Sequence, residues 1–273
     1  MEKKIFVAAL VAMTAFMTAA QCRVIAHRGY WKTDGSAQNS VRSLAKADSV
    51  GAYGSELDVW LNDDNRLVLN HNAAYNGVVI ETSRAAQIDT LVLANGEKMP
   101  YLDDYLAEAR RHPELRLVLE LKPMQDKQKE YRAAGIVRDM LDRYGVRGRT
   151  DIISFSFDAC RAMVDSIPGA RVYFLGSTKT PDECHEAGLA GIDFSQKCLR
   201  EHPDYISRAH ALGMKVNVWT VNKPDDIRYW IEQGVDFITT DNPEEALAIV
   251  ADSSCGSAGN RNDESFGRII STR

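Results

Sequence analysis

The chain has 273 residues, 45% hydrophobic and 26% charged, and its 33 basic and 38 acidic residues leave a net charge of −5. That is the composition of a soluble globular protein of one large or two small domains. It excludes a disordered chain, a collagen and a polytopic membrane protein, and no basic excess points to nucleic acid as a partner.

Residues 1–20 read as an export signal. Lys3 and Lys4 precede an uncharged apolar run, Ile5–Ala20, that ends on the small residues Thr18, Ala19 and Ala20. The run is shorter than the roughly 20 residues a membrane span needs, which favours a cleaved leader over an anchor. Cleavage after Ala20 would place the protein in the periplasm or outside the cell. Cys22 offers a lipoprotein alternative, but Gln21 stands before it where a small residue is expected. Beyond the leader the cysteines are 22, 160, 184, 198 and 255. Their odd number leaves at least one unpaired in an oxidising compartment. None has C-x-x-C spacing, so they read mostly as buried apolar thiols.

From residue 24 short apolar runs alternate with helix-like stretches. Eight candidate strands are Val24–Ala26, Ser55–Trp60, Arg116–Leu121, Asp151–Ser156, Arg171–Leu175, Gly191–Phe194, Lys215–Trp219 and Phe237–Thr240. Helical segments are expected at 39–50, 101–111, 133–144, 159–166, 181–187, 203–212, 223–233 and 243–251. Asp158, Thr180, Asn222 and Asn242 suit helix caps, prolines 181, 203 and 243 suit first turns, and glycines 145, 188, 213 and 234 suit helix stops. This alternation predicts an α/β fold with a parallel sheet, and eight units fit a closed (β/α)8 TIM barrel over residues 21–251. A doubly wound open sheet is the alternative, but it usually carries a Gly-rich phosphate turn and none is present. Leu67–Leu69 reads as a short extra strand, residues 72–100 as an insertion over one end, and residues 252–273 as a mobile tail.

Reactive groups of such a barrel stand at the C-terminal strand ends. His27-Arg28-Gly29 follows strand one and suits phosphate: a guanidinium fork for its oxygens, an imidazole for protons. The same tripeptide also occurs in plain surface loops. Glu56 and Asp58 lie two apart on strand two and share its inward face. Buried together they call for a hard divalent cation, unless Asp58 is solvated at the sheet end. Glu120 and Lys122 repeat that parity on the next strand. Glu120 could complete a three-carboxylate set and Lys122 could offset its charge or hold phosphate; an ordinary surface ion pair is the bland alternative. His71, after the extra strand, offers a second acid–base group or a structural histidine. Trp219 offers an apolar wall for a substrate or plain packing.

In this order the pieces resemble the glycerophosphodiester phosphodiesterase family. The resemblance rests on His27-Arg28-Gly29, Asn39-Ser40, Gly51 to Asp58, His71, Glu120 to Pro123, Trp219 to Asn222 and Ile238 to Asp241, and covers about residues 24–250. It implies a TIM barrel that hydrolyses glycerophosphodiesters to glycerol 3-phosphate and an alcohol with one divalent cation, Ca²⁺ or Mg²⁺. By position, Glu56, Asp58 and Glu120 would bind the metal, and His27 and His71 would be the acid–base pair. Arg28 and Lys122 would hold phosphate and Trp219 would touch the substrate's carbon skeleton. Two positions depart from the family pattern: Gln38 and Asn72 stand where carboxylates are usual. The alternatives are a phospholipase of the same barrel type that forms a cyclic phosphate, and a non-catalytic phosphodiester-binding protein.

Overall fold

The computed structural model describes residues 22–259; the expected leader at 1–20 lies outside them. All eight predicted strands form. They are β1 (Arg23–Ala26), β2 (Gly54–Leu61), β6 (Arg116–Leu121), β7 (Thr150–Ser154), β8 (Arg171–Phe174), β9 (Gly191–Ser195), β10 (Lys215–Trp219) and β11 (Phe237–Thr240). Each pairs in parallel with the next, and β1 pairs with both β2 and β11, so the sheet closes into a barrel. The extra strand β3 (Leu67–Leu69) adds antiparallel to β2. The fold is the (β/α)8 barrel that the alternation predicts.

Period-two alternation sorts the strand residues. On β2, Leu57, Val59 and Leu61 join the core between strands and helices, as do Val216 and Val218 on β10. An apolar cluster inside the barrel joins Ile25, Val118, Tyr173 and Phe237 to Ile153 and Leu175, and the last two reach the cleft. Above that cluster the inward positions next to β1, β2 and β6 are polar, whereas Ile153, Phe155, Leu175 and Trp219 form an apolar wall.

The helices are α1 (Val41–Ser49), α2 (Ala85–Ile88), α3 (Leu102–Ala109), α4 (Lys127–Tyr144), α5 (Phe157–Ser166), α6 (Pro181–Glu186), α7 (Gln196–Glu201), α8 (Tyr205–Ala211), α9 (Pro224–Glu232) and α10 (Pro243–Gly259). Thr180 caps α6 as expected, in a reciprocal box with Glu183. Three expected signals act elsewhere. Ser156, not Asp158, caps α5 through the Ala159 amide. Pro203 lies before α8, and Asn222 lies before α9 with its side chain on Asp241. α4 starts at Lys127 rather than residue 133. Its first turn is polar and carries no apolar period, but Asp126 caps it. There, too, the buried Glu130 accepts from the Met124 amide and Ser156 Oγ. α10 runs past the expected tail boundary at residue 252; Ser253 Oγ donates to the Ile249 carbonyl, still within the helix.

The insertion at 72–100 holds a hairpin, β4 (Ala74–Tyr75) and β5 (Val78–Val79), followed by α2. It has its own apolar cluster, in which Ile80, Ile88, Leu91 and Met99 pack on Trp60 and Val68. That cluster anchors the segment which begins at His71.

Candidate active site

Strand register assembles the site. Ala26 pairs with Thr240, so the next residue of each strand, His27 and Asp241, meet at the barrel mouth. His27 Nδ1 lies 2.7 Å from Asp241 Oδ1. Burial alone would raise the Asp241 carboxyl. The hydrogen bond and charge of His27, the Asn222 amide and Lys32 outweigh it and hold the carboxyl well below the usual carboxylate range.

Arg28 adopts φ 57°, a left-handed conformation that turns its amide to Glu56 Oε2 at 2.7 Å. Its guanidinium donates to Gln38 Oε1 at 2.8 Å and lies 3.8 Å from Asp58 Oδ2. Gly29 follows at φ +73°, and a Cβ there would fall 2.3 Å from Ser43 Oγ. Only glycine fits both the conformation and the space.

Asp58 pairs directly with Glu120 across β2 and β6. Both, with Glu56, are buried, and one oxygen from each lies within 4.8 Å of the others. Burial first, then the charges of Asp58 and Glu120, pushes Glu56 well above its ordinary range. Burial and Asp58 likewise push Glu120 up to about 8. Asp58 behaves oppositely: despite burial, Lys122, Asn39, His71 and Arg28 bring it down to about 2. Asn39 clamps it twice, donating from Nδ2 to Asp58 Oδ2 at 2.8 Å and accepting the Asp58 amide at 2.9 Å. Lys122 Nζ stands 3.1 Å from Asp58 Oδ1 and 2.7 Å from Glu120 Oε1. Three oxygen ligands in a buried, mutually repelling cluster form a donor set suited to a hard divalent cation.

β3 returns antiparallel along β2 and delivers His71 to the mouth, near Asp58. Its Nδ1 lies 2.9 Å from Asn72 Oδ1. Burial lowers its pKa, helped by Lys122 and Arg28 and opposed by Asp58 and the Asn72 bond. Trp219 donates from Nε1 to the Asp193 carbonyl at 3.0 Å and meets Phe155 edge-on at 5.5 Å.

His27, Arg28, Glu56, His71, Glu120 and Trp219 all line one cleft. Asp58 and Lys122 adjoin its acidic wall, Lys122 reaching both Asp58 and Glu120. The eight residues singled out from the sequence therefore come together. Four more belong to the place: Asn39, Phe155, Asp193 and Asp241. Asn39 and Asp241 stand inside runs noted in the sequence, but neither pointed to a partner. Asp193 had only its inward parity between Ile192 and Phe194 as a signal.

The sequence profile described as the glycerophosphoryl diester phosphodiesterase family matches residues 27–245. A glycerophosphodiester phosphodiesterase from Caldanaerobacter subterraneus is 26% identical over 242 residues, which is 83% of this chain and 97% of that protein. The crystal structure of a glycerophosphodiester phosphodiesterase from Parabacteroides distasonis is 43% identical, with a TM-score of 0.85 over 86% of this chain and 99% of that one. A phosphodiesterase from Oleispira antarctica, solved with the product sn-glycerol-3-phosphate, shares the fold at 21% identity and a TM-score of 0.75, covering 84% of this chain and 96% of that one. With four-fifths of its length matched by the family profile, the chain belongs to the glycerophosphoryl diester phosphodiesterase family and is a phosphoric diester hydrolase.

Proposed function

We propose that the protein hydrolyses glycerophosphodiesters to glycerol 3-phosphate and an alcohol by two-histidine acid–base catalysis at a divalent-cation site. One observation carries this reading: a buried carboxylate triad and two imidazoles border one cleft, with a guanidinium beside them. The product seen in the Oleispira antarctica protein is the one this reaction would release. Glu56, Asp58 and Glu120 fit a Ca²⁺ or Mg²⁺ ion, which when bound would stabilise charge on the phosphoryl oxygens.

The chain's own groups do the rest. Arg28 reaches the phosphate from the His27 side, and Lys122 offsets the charge beneath it. One histidine takes the proton of the attacking oxygen as the new P–O bond forms. The other gives a proton to the leaving alkoxide as the old bond breaks. Each ring is oriented by a bond at Nδ1, to Asp241 or to Asn72, so that Nε2 can serve the cleft. Trp219, pinned by its indole bond, supplies an apolar face for the carbon skeleton.

Turnover of glycerophosphodiesters with and without chelator tests the proposal. Loss on chelation with recovery on adding Ca²⁺ or Mg²⁺ is expected; full turnover by metal-free protein would sink the cation role. Product analysis separates direct hydrolysis from a route through a cyclic phosphate. Absence of any turnover on loaded protein would leave a binding protein.

We also propose export with cleavage after Ala20. Burial of Cys22 in the core, with its thiol pushed up to about 12, supports an unmodified cysteine rather than a lipid anchor. No helix among the described residues is long and apolar enough to cross a membrane. The intact mass of the exported protein decides it, because a retained Met1 or a lipidated Cys22 gives a different value.

A further inference from the structure

The cleft ends on an acid for which the reaction above has no task. Asp193 is the third residue of β9 and 1% exposed. Its neighbours Ile192 and Phe194 face the helices, so alternation turns Asp193 inward, where it lines the cleft. Its strand partner is Asn217. Asp193 Oδ1 is buried without a hydrogen-bond partner, and among the described residues no lysine or arginine forms an ion pair with it. A half-bonded buried carboxyl costs stability, which makes sense at a position where a ligand completes its bonding. The cleft wall it shares is apolar, formed by Ile153, Leu175, Phe155 and Trp219. The environment suits a small neutral carbon skeleton with a hydrogen-bonding group at its end.

We infer that Asp193 is a specificity-determining residue whose free carboxyl oxygen takes a hydroxyl of the substrate's glycerol portion. This rests on the glycerophosphodiester reading above. Burial pushes the Asp193 carboxyl up to about 7, against a hydrogen bond from Asn217. Near neutral pH the group can therefore accept a hydroxyl proton or donate its own, and neither mode needs a charge on the ligand.

Two synthetic diesters with one leaving group isolate the contact: glyceryl p-nitrophenyl phosphate and ethyl p-nitrophenyl phosphate. They differ in the glycerol portion, by its two hydroxyls and one carbon. Asp193→Leu should lower kcat/KM on the glyceryl diester by about 10- to 100-fold, the scale of a lost hydrogen bond to a charged or acidic group, chiefly through KM. On the ethyl diester it should stay within threefold of wild type, as a rough bound for a residue that touches neither phosphate nor leaving group. Asp193→Asn, which keeps the shape, should lose less on the first substrate and as little on the second; it decides the matter if the leucine variant does not fold. Asp193→Leu should melt higher than wild type by about 2–4 °C, since an unpaired buried carboxyl has been relieved, whereas Asp193→Asn keeps a buried polar group there.

Unchanged turnover of the glyceryl diester by the asparagine and leucine variants overturns the inference. So does an equal loss by the asparagine variant on both diesters. A loss confined to glycerophosphoethanolamine, with glycerophosphoglycerol unaffected, also overturns it, because the carboxyl would then be reading a cationic headgroup. A wild-type enzyme that prefers the ethyl diester and cleaves no glycerophosphodiester defeats the parent reading itself. A glycerol-selective wild type whose variants keep that selectivity defeats only the role of Asp193.

Discussion

The two histidines look alike in the sequence and differ in their surroundings. His27 leans on a carboxylate that His27 itself, Asn222 and Lys32 hold ionised, whereas His71 leans on a neutral amide. Both stand at the cleft rather than in the core. His27→Ala and His71→Ala should each lower kcat about 100-fold or more, the usual scale for losing a general acid or base. A substrate with a p-nitrophenol leaving group should make one of the two nearly dispensable, the one that protonates the leaving oxygen. Wild-type kcat in either variant on a natural diester would remove that residue from the mechanism. Asn72→Asp supplies the carboxylate that His71 lacks. Burial now lowers the His71 pKa, and an added negative charge at Nδ1 favours the imidazolium. The limb of the pH–rate profile that belongs to His71 should move to higher pH, and a limb that stays in place would show that the amide does not tune this ring.

At the scale of elements, the site is a product of register. The pairings Ala26 with Thr240 and Asp58 with Glu120 each bring two functional side chains together without any further device. The insertion is different, since it follows directly on His71 and is held by a separate small core. Ile88→Ala should cost about 2–5 kcal/mol of stability as a buried aliphatic truncation. It should also reduce kcat, because the loosened segment begins at His71; a stability loss with unchanged kcat would mean that β3 alone fixes the ring. The strands were legible because each is a short apolar run between helix stops and caps. The polar first turn of α4 was not, since its Asp126 cap and its buried Glu130 work through Met124 and Ser156 rather than through periodicity. Nor was the service of Asp241 to His27 legible. It spans 214 residues and exists only because the last strand closes on the first. The carboxylate triad was legible because parity within a strand and adjacency of strands are both readable from the chain.

For the molecule as a whole, the crowded acids link stability to pH. In metal-free protein Glu56 and Glu120 bind protons more tightly than unfolded glutamates, whose ordinary value is 4.5, and Glu120 releases its own only at about 8. Their favourable contribution is full below about pH 4.5 and is lost as pH rises to about 8. Asp193 acts with the same sign up to about 7. Asp58, held at about 2, opposes this only at more acid pH. The Tm of metal-free protein should therefore fall between pH 5 and 8 through this cluster. Ca²⁺ or Mg²⁺ at fixed concentration should raise it more at pH 8, where the ion no longer displaces protons. Equal shifts at both pH values, or none, would count against the triad as the cation's seat.

The contact between His27 and Asp241 also sets a time order. Synthesis begins at the end that carries His27 and reaches Asp241 only after nearly the whole barrel has been made. A nascent chain that already holds the three acids, both histidines and Lys122 still lacks the carboxylate that orients the first imidazole, and its barrel is still open along β1. Activity is thus withheld from every incomplete chain until the final strand docks, so a ribosome-stalled product ending before residue 237 should be catalytically silent however much of it has folded.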